Sequence, residues 1–104
     1  METLELLKSD IKNAKQNINL IDGCFSSSEA SDIINALLKV KINFHKLHRL
    51  SITEGNSKDK CEVDNSRINE LINEEAFAKA FFTQARLQGK KLKMTSTINI
   101  TVED

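Results

Sequence analysis

His45 and His48 stand three residues apart, and on a helix that spacing turns both imidazoles to one side. Paired histidines of this kind occur in zinc sites, which need further nitrogen, sulfur or carboxylate ligands to close a tetrahedron. Cys24 is too distant to help, because ~21 helical residues put it roughly 30 Å from His45. Cys61, Glu54 and Glu62 are the remaining donors, so a metal centre would rest on His45, His48 and Cys61 without a credible fourth ligand. The expectation is therefore no metal and no cofactor. The two imidazoles serve instead to flank an apolar stripe near a helix C-terminus, where partial positive charge is favourable.

The serines of Phe25-Ser26-Ser27-Ser28-Glu29-Ala30 have a simpler chemistry than catalysis. Ser26 can accept from the backbone of Glu29 while the Glu29 side chain reaches back to Ser26, and Phe25 can staple onto Ala30. Nothing resembles a Gly-x-Ser-x-Gly turn, and the adjacent Glu74 and Glu75 project ~100° apart instead of converging as an acid and base. The residues point away from an enzyme.

Lys39, Lys46 and Arg49, with Lys41, lie in a stretch free of acids, and Lys90, Lys91 and Lys93 follow later. Such cations could contact phosphates. Lys39 and Lys46 point away from Lys41 on a helical wheel, however, and no aromatic stands beside them to stack on bases. A nucleic-acid-associated accessory role through Lys39, Lys46 and Arg49 is thus the alternative, with nucleic acid not the expected partner.

The elements that must carry these residues follow from periodicity. Leu4, Leu7, Ile11, Ala14, Ile18 and Ile21 alternate by three and four, which predicts a first helix over 3–22. A second helix over 27–50 carries a long stripe, Ala30, Ile33, Leu37, Val40, Phe44 and Leu47, and a shorter one, Ile34, Leu38 and Ile42. Two stripes imply two neighbours. Residues 51–63 are polar and read as the longest loop, after which Asp64 or Asn65 caps a third helix over 64–88. Gly23, Gly55 and Gly89 each follow a helical stretch and read as stop signals.

Beyond Gly89 the period becomes two, with Leu92, Met94, Ser96, Ile98, Ile100 and Val102 on one side, which predicts a half-buried strand over 92–102. Its edge of roughly 36 Å needs a partner strand. A second copy of the chain is the expected one; the competitor is an extended piece of the 51–63 loop with Ile52, Cys61 and Val63. The fold class is then mainly α: three helices, an αα-hairpin from the first two, and one C-terminal strand paired across a dimer. The expected interface comprises Leu92, Met94, Ile98, Ile100 and Val102, with Ile34, Leu38 and Ile42 from the second helix.

The 104 residues suit a single domain, 1–104, and the equal numbers of basic and acidic residues, 15 each, leave the chain without net charge, although the charge alternates in sign in blocks along it. No apolar run approaches the ~18 residues of a membrane span, the acidic N-terminus is unlike a secretory signal, and two unpaired cysteines suit a reducing compartment. A cytoplasmic location is expected.

Lys41-Ile42-Asn43-Phe44-His45-Lys46-Leu47, Asp22-Gly23 with Phe25-Ser26, and the ending Leu92 to Val102 with Ser96-Thr97-Ile98-Asn99-Ile100 resemble a group of small bacterial proteins of unknown function. The resemblance covers most of the chain from about Ile18 onward. It implies no activity, cofactor or partner. The function expected is a structural or protein-interaction module, not an enzyme, acting as a homo-oligomer, with an unknown protein partner as a further option.

Overall fold

A computed structural model describes residues 14–103. They form four elements, β1 (Lys15–Ser26), α1 (Ser27–Gly55), α2 (Glu62–Leu87) and β2 (Lys91–Thr101). The chain divides into two compact units, the segment Phe25–Leu92 with both helices and a second unit holding most of the two strands.

In the helical unit, α1 starts where its capping chemistry says it should. Ser26 Oγ accepts from the Glu29 amide at 3.1 Å and the Ser26 amide donates to Glu29 Oε1 at 2.9 Å, so two otherwise unpaired donors are satisfied reciprocally. The Glu29 carboxyl is held below its ordinary value, first by the bond from the Ser26 backbone amide and then by the Ser26 side chain. At the same end of the hairpin α2 stops before Gly89, whose φ of 65° is a left-handed conformation that glycine adopts without a Cβ penalty. The Lys90 amide donates to Ala85 O at 2.9 Å and the Gly89 amide to Arg86 O at 3.0 Å, the paired bonds of a Schellman ending. Buried Ser27 then donates from Oγ to Lys90 O at 2.9 Å and ties the start of α1 to the end of α2.

Between the two helices runs one seam. Leu38 packs against a cluster of Ile42, Ile68 and Leu71, and no large side chain in the described residues is fully buried. On α2 the buried and half-buried positions Asp64, Ile68, Leu71, Glu75, Ala78, Phe82 and Ala85 follow a 4,3 alternation that keeps one edge of a helix against its neighbour, with half-buried Asn65 and Thr83 beside it. Asp64 and Glu75 interrupt its apolar character, which is why the hydrophobic residues alone make this helix look irregular.

The strands β1 and β2 pair with each other as an antiparallel two-stranded sheet. In β2, half-buried Leu92, Met94 and Ser96 alternate with exposed neighbours, as a period of two requires; from Thr97 onward every residue is exposed. In β1, buried Ile21 and half-buried Gly23 and Phe25 make the corresponding set.

Several expectations are corrected. The described residues hold two helices, not three, and the strands are not confined to the C-terminus. The 15–22 portion of the expected first helix is strand, while its 3–13 portion lies outside the described residues. Ala14, Ile18 and Ile21 fit a helical stripe, but Ile18 and Ile21 are β-branched, Asn17 and Asn19 are poor helix formers, and pairing with β2 decides the outcome. β2 therefore has its partner inside the chain, so neither a strand from a second copy nor the 51–63 loop supplies it. The αα-hairpin is made by the second and third expected helices, and the connection shrinks to 56–61 because α1 runs on to Gly55. Of the glycines only Gly89 ends a helix by its conformation; Gly23 lies within β1, and Gly55 is the last residue of α1. The N-cap of α2 is Cys61, not Asp64 or Asn65.

Candidate functional site

Both histidines reach the start of α2. His45 Nδ1 donates to Asp64 Oδ1 at 3.0 Å, and His48 Nδ1 lies 2.7 Å from Asp64 Oδ2, so one carboxylate receives both imidazoles. The helix pitch explains the meeting: two residues on one face of α1, near its end, oppose the first turn of the antiparallel α2. Asp64 is buried, yet its carboxyl is held below its ordinary acidity range by the bonds from His45 and then His48, which outweigh the cost of burial. Arg49 Nη1 donates to Asn65 Oδ1 at 2.8 Å and Asn65 Nδ2 donates to Lys60 O at 2.8 Å, so the whole tip of the hairpin is stitched by side chains.

Each histidine has committed Nδ1 to Asp64, the remaining Nε2 of His45 is buried without a partner, and among the described residues no cluster of three ligating side chains exists. Cys61, the third residue considered, is buried with its Sγ 3.8 Å from Arg49 O. Burial pushes its thiol pKa up, with Asp59 adding to the shift, so the sulfur is kept from the thiolate form that binds metals and attacks substrates. A cavity of about 490 Å³ at the tip is lined by His48, Asp59, Cys61 and Asp64, which are bonded there, together with Ile52 and Val63.

The two flanks of the hairpin differ sharply. Ser28, Asp32, Asn35 and Lys39 of α1 share a groove of about 510 Å³ with Lys79, Thr83 and Arg86 of α2. On α2 these three each directly follow a seam residue, namely Ala78, Phe82 and Ala85, and on α1 Lys39 follows Leu38. Because the helices are antiparallel, residues that follow the seam on both helices come to one flank, and residues that precede it come to the other. The preceding residues are Leu37 and Phe44 on α1, before Leu38 and His45, and Phe77 and Phe81 on α2, before Ala78 and Phe82.

That second flank is apolar and open. Leu37 and Phe44 are 39% and 53% exposed and Phe77 and Phe81 are 74% and 58% exposed; from Leu37 and Phe44 the apolar surface runs on round α1, toward the side turned from α2, through Val40 and Leu47 at 69% and 67%. Phe44 is fixed in place by its neighbours: the His48 ring stacks on it at 5.9 Å, the His45 ring meets it edge-on at 5.1 Å, and Lys41 Nζ stands 4.9 Å from its centre. Phe81 packs edge-on against Phe82 at 5.6 Å.

The residues singled out from the sequence are thus dispersed. Leu38 and Ile42 are spent inside the hairpin, Ile34 is half-buried, Leu92 and Met94 are half-buried in β2, and Ile98, Ile100 and Val102 are exposed. Lys39 lines the polar groove, Arg49 binds Asn65 and Lys46 is exposed, so the three are not gathered into one basic patch by shared contacts. Asp64 was missed as the histidines' partner, and the signal for it was topological: a lone carboxylate in the first turn of whichever helix returns past His45. No described helix is long and apolar enough to cross a membrane. No protein-family model, curated protein or solved structure matches the chain.

Proposed function

We propose that this chain is a protein-interaction module that works without catalysis and docks through the apolar flank of its helical hairpin. The observation that carries the reading is the unbroken exposure of Leu37, Val40, Phe44 and Leu47 beside Phe77 and Phe81. Soluble monomers rarely expose contiguous apolar patches beyond a few hundred Å², and a helical face of this kind is the usual way one helix recognises another. The polar tip supports the reading by a different route. His45 and His48 both bind Asp64 through Nδ1 and pack their rings against Phe44, an arrangement that suits a scaffold.

A photoreactive amino acid placed at Phe44, and in a second variant at Lys39 on the opposite flank, tests this in cells of the source organism. Protein adducts are expected from position 44 and not from 39. Adducts from position 39 alone, or from neither, would refute the docking surface.

A further inference from the structure

We infer that the partner for the apolar flank is a second copy of this chain, placed about a twofold axis parallel to the helices so that the two hairpins form an antiparallel four-helix bundle. The inference rests on the docking surface just proposed and names its occupant.

The first argument is area. Taking about 150–200 Å² for a fully exposed apolar side chain, Leu37, Val40, Phe44, Leu47, Val63, Phe77 and Phe81 together offer roughly 800 Å² per protomer. Two such faces pressed together remove about 1,600 Å² from water, the size of a standard stable interface. The hairpin has reason to be covered, since the larger apolar side chains clustered in its seam are Ile42, Ile68 and Leu71 with Leu38 packed beside them, and the other buried hydrophobic residues of the helical unit are the small Ala30, Cys61 and Ala85. Two layers of helices around a shared core are the ordinary remedy for a pair that cannot bury enough alone.

The second argument is charge, and it selects both the partner and the axis. The second half of α1 carries Lys39, Lys41, Lys46 and Arg49 without an acid between Ile33 and Ile52. The first half of α2, which runs beside it, carries Glu62, Asp64, Glu70, Glu74 and Glu75 against Arg67 alone. Lys41 and Glu74 belong to the apolar flank, and neither is in an ion pair among the described residues. An axis parallel to the helices lays α1 of each copy over α2 of the other, at the same level along the bundle. Lys41 then meets Glu70 and Glu74 of the second copy, Ile33 and Leu37 meet Phe77 and Phe81, and every neighbouring helix pair is antiparallel. A twofold axis perpendicular to the helices would stack α1 on α1 and set Lys41 against itself. One surface therefore holds both halves of a complementary pattern, which is what an isologous interface requires.

Sedimentation velocity on the full chain, with helix content followed by circular dichroism, tests the inference. A particle of twice 11.7 kDa is expected. Val40→Glu and Leu47→Glu alter exposed side chains, so each is expected to keep its helix content while the dissociation constant rises about a hundredfold. Lys41→Glu and Glu74→Lys are each expected to weaken the dimer about tenfold, and the double variant K41E/E74K to recover most of the loss. A monomeric full chain overturns the inference, as does a dimer indifferent to both apolar variants; additive losses in the charge pair overturn the axis. If the chain is monomeric while position 44 still crosslinks another protein, the docking surface stands and the second copy falls. If both fail, both readings fall.

Discussion

The two flanks of the helical hairpin share one seam and differ by one residue of offset. On the side that follows the seam lie Ser28, Asp32, Asn35, Lys39, Lys79, Thr83 and Arg86; on the side that precedes it lie Leu37, Phe44, Phe77 and Phe81. In an isolated hairpin both flanks face water equally, so physics gives no reason for one to be apolar. Among the described residues the apolar flank is left open, and that asymmetry is what the proposed docking surface would explain. On that proposal substitutions sort by flank: seam residues set whether the hairpin exists, preceding residues would set what it binds, and following residues little beyond solubility.

The largest effect should come from the seam. Ile42→Ala or Leu71→Ala is expected to cost about 2–4 kcal/mol, because each removes several buried methyl groups from a cluster with few members to fill the gap. Chemical denaturation checks this, and Phe44→Ala is the contrast. If that exposed change costs the isolated protomer as much as Ile42→Ala does, the distinction between seam and flank collapses.

Acid should act next, and locally at the tip. Since the Asp64 carboxyl sits below its ordinary value of 3.8 in the folded protein, its contribution to stability is complete above that value and is lost as pH falls through the lowered one. Asp64→Asn is expected to lower the melting temperature at neutral pH, and the gap from the parent protein to close in acid. Thermal melts of both proteins across that range decide it. A gap that stays constant as the carboxyl is protonated would show that the bonds from His45 and His48 do not hold the tip.

Helix ends come third. Gly89→Ala is expected to cost about 1 kcal/mol through backbone strain alone, since an added Cβ meets nothing within 4 Å and the φ of 65° is what disfavours it. Ser26→Ala removes the bond to the Glu29 amide and should cost about 1 kcal/mol as well. Neither touches a flank, so both should destabilise without changing association, and an altered oligomeric state in either variant would blur the comparison.

These end signals were also the most legible part of the sequence, and the reason is range. Ser26 with Glu29, Gly89 with Lys90, and the alternation from Leu92 to Ser96 are all settled by residues within a turn or a strand of one another. β1 was not legible, because Ile18 and Ile21 satisfy a helical stripe by local spacing, and what overrides it is pairing with a strand some seventy residues away. The two stripes of α1 were visible, yet which of them the chain keeps for itself depends on α2, whose seam is disguised by Asp64 and Glu75. Asp64 in turn reads as a cap until the hairpin brings His45 and His48 onto it.

The smallest effect belongs to the polar flank and is the sharpest control. Lys39, Lys79 and Arg86 share their groove with Asp32 and Glu75, so its charges are mixed and exposed, and removing one should move stability by no more than about 0.5 kcal/mol. Lys39→Ala and Lys79→Ala are expected to leave association unchanged as well. Lys39 in this groove, with Lys46 and Arg49 further along α1, are the basic residues that a nucleic acid would have to contact if it bound at all. With as many acidic as basic residues in the chain, mobility shifts with DNA or RNA at low salt should show only weak, non-specific binding. Micromolar binding with a steep salt dependence, lost on changing Lys39, Lys46 and Arg49 to Glu, would invert the assignment, because the flank that follows the seam would then be the working surface and the apolar flank merely a dimer contact behind it.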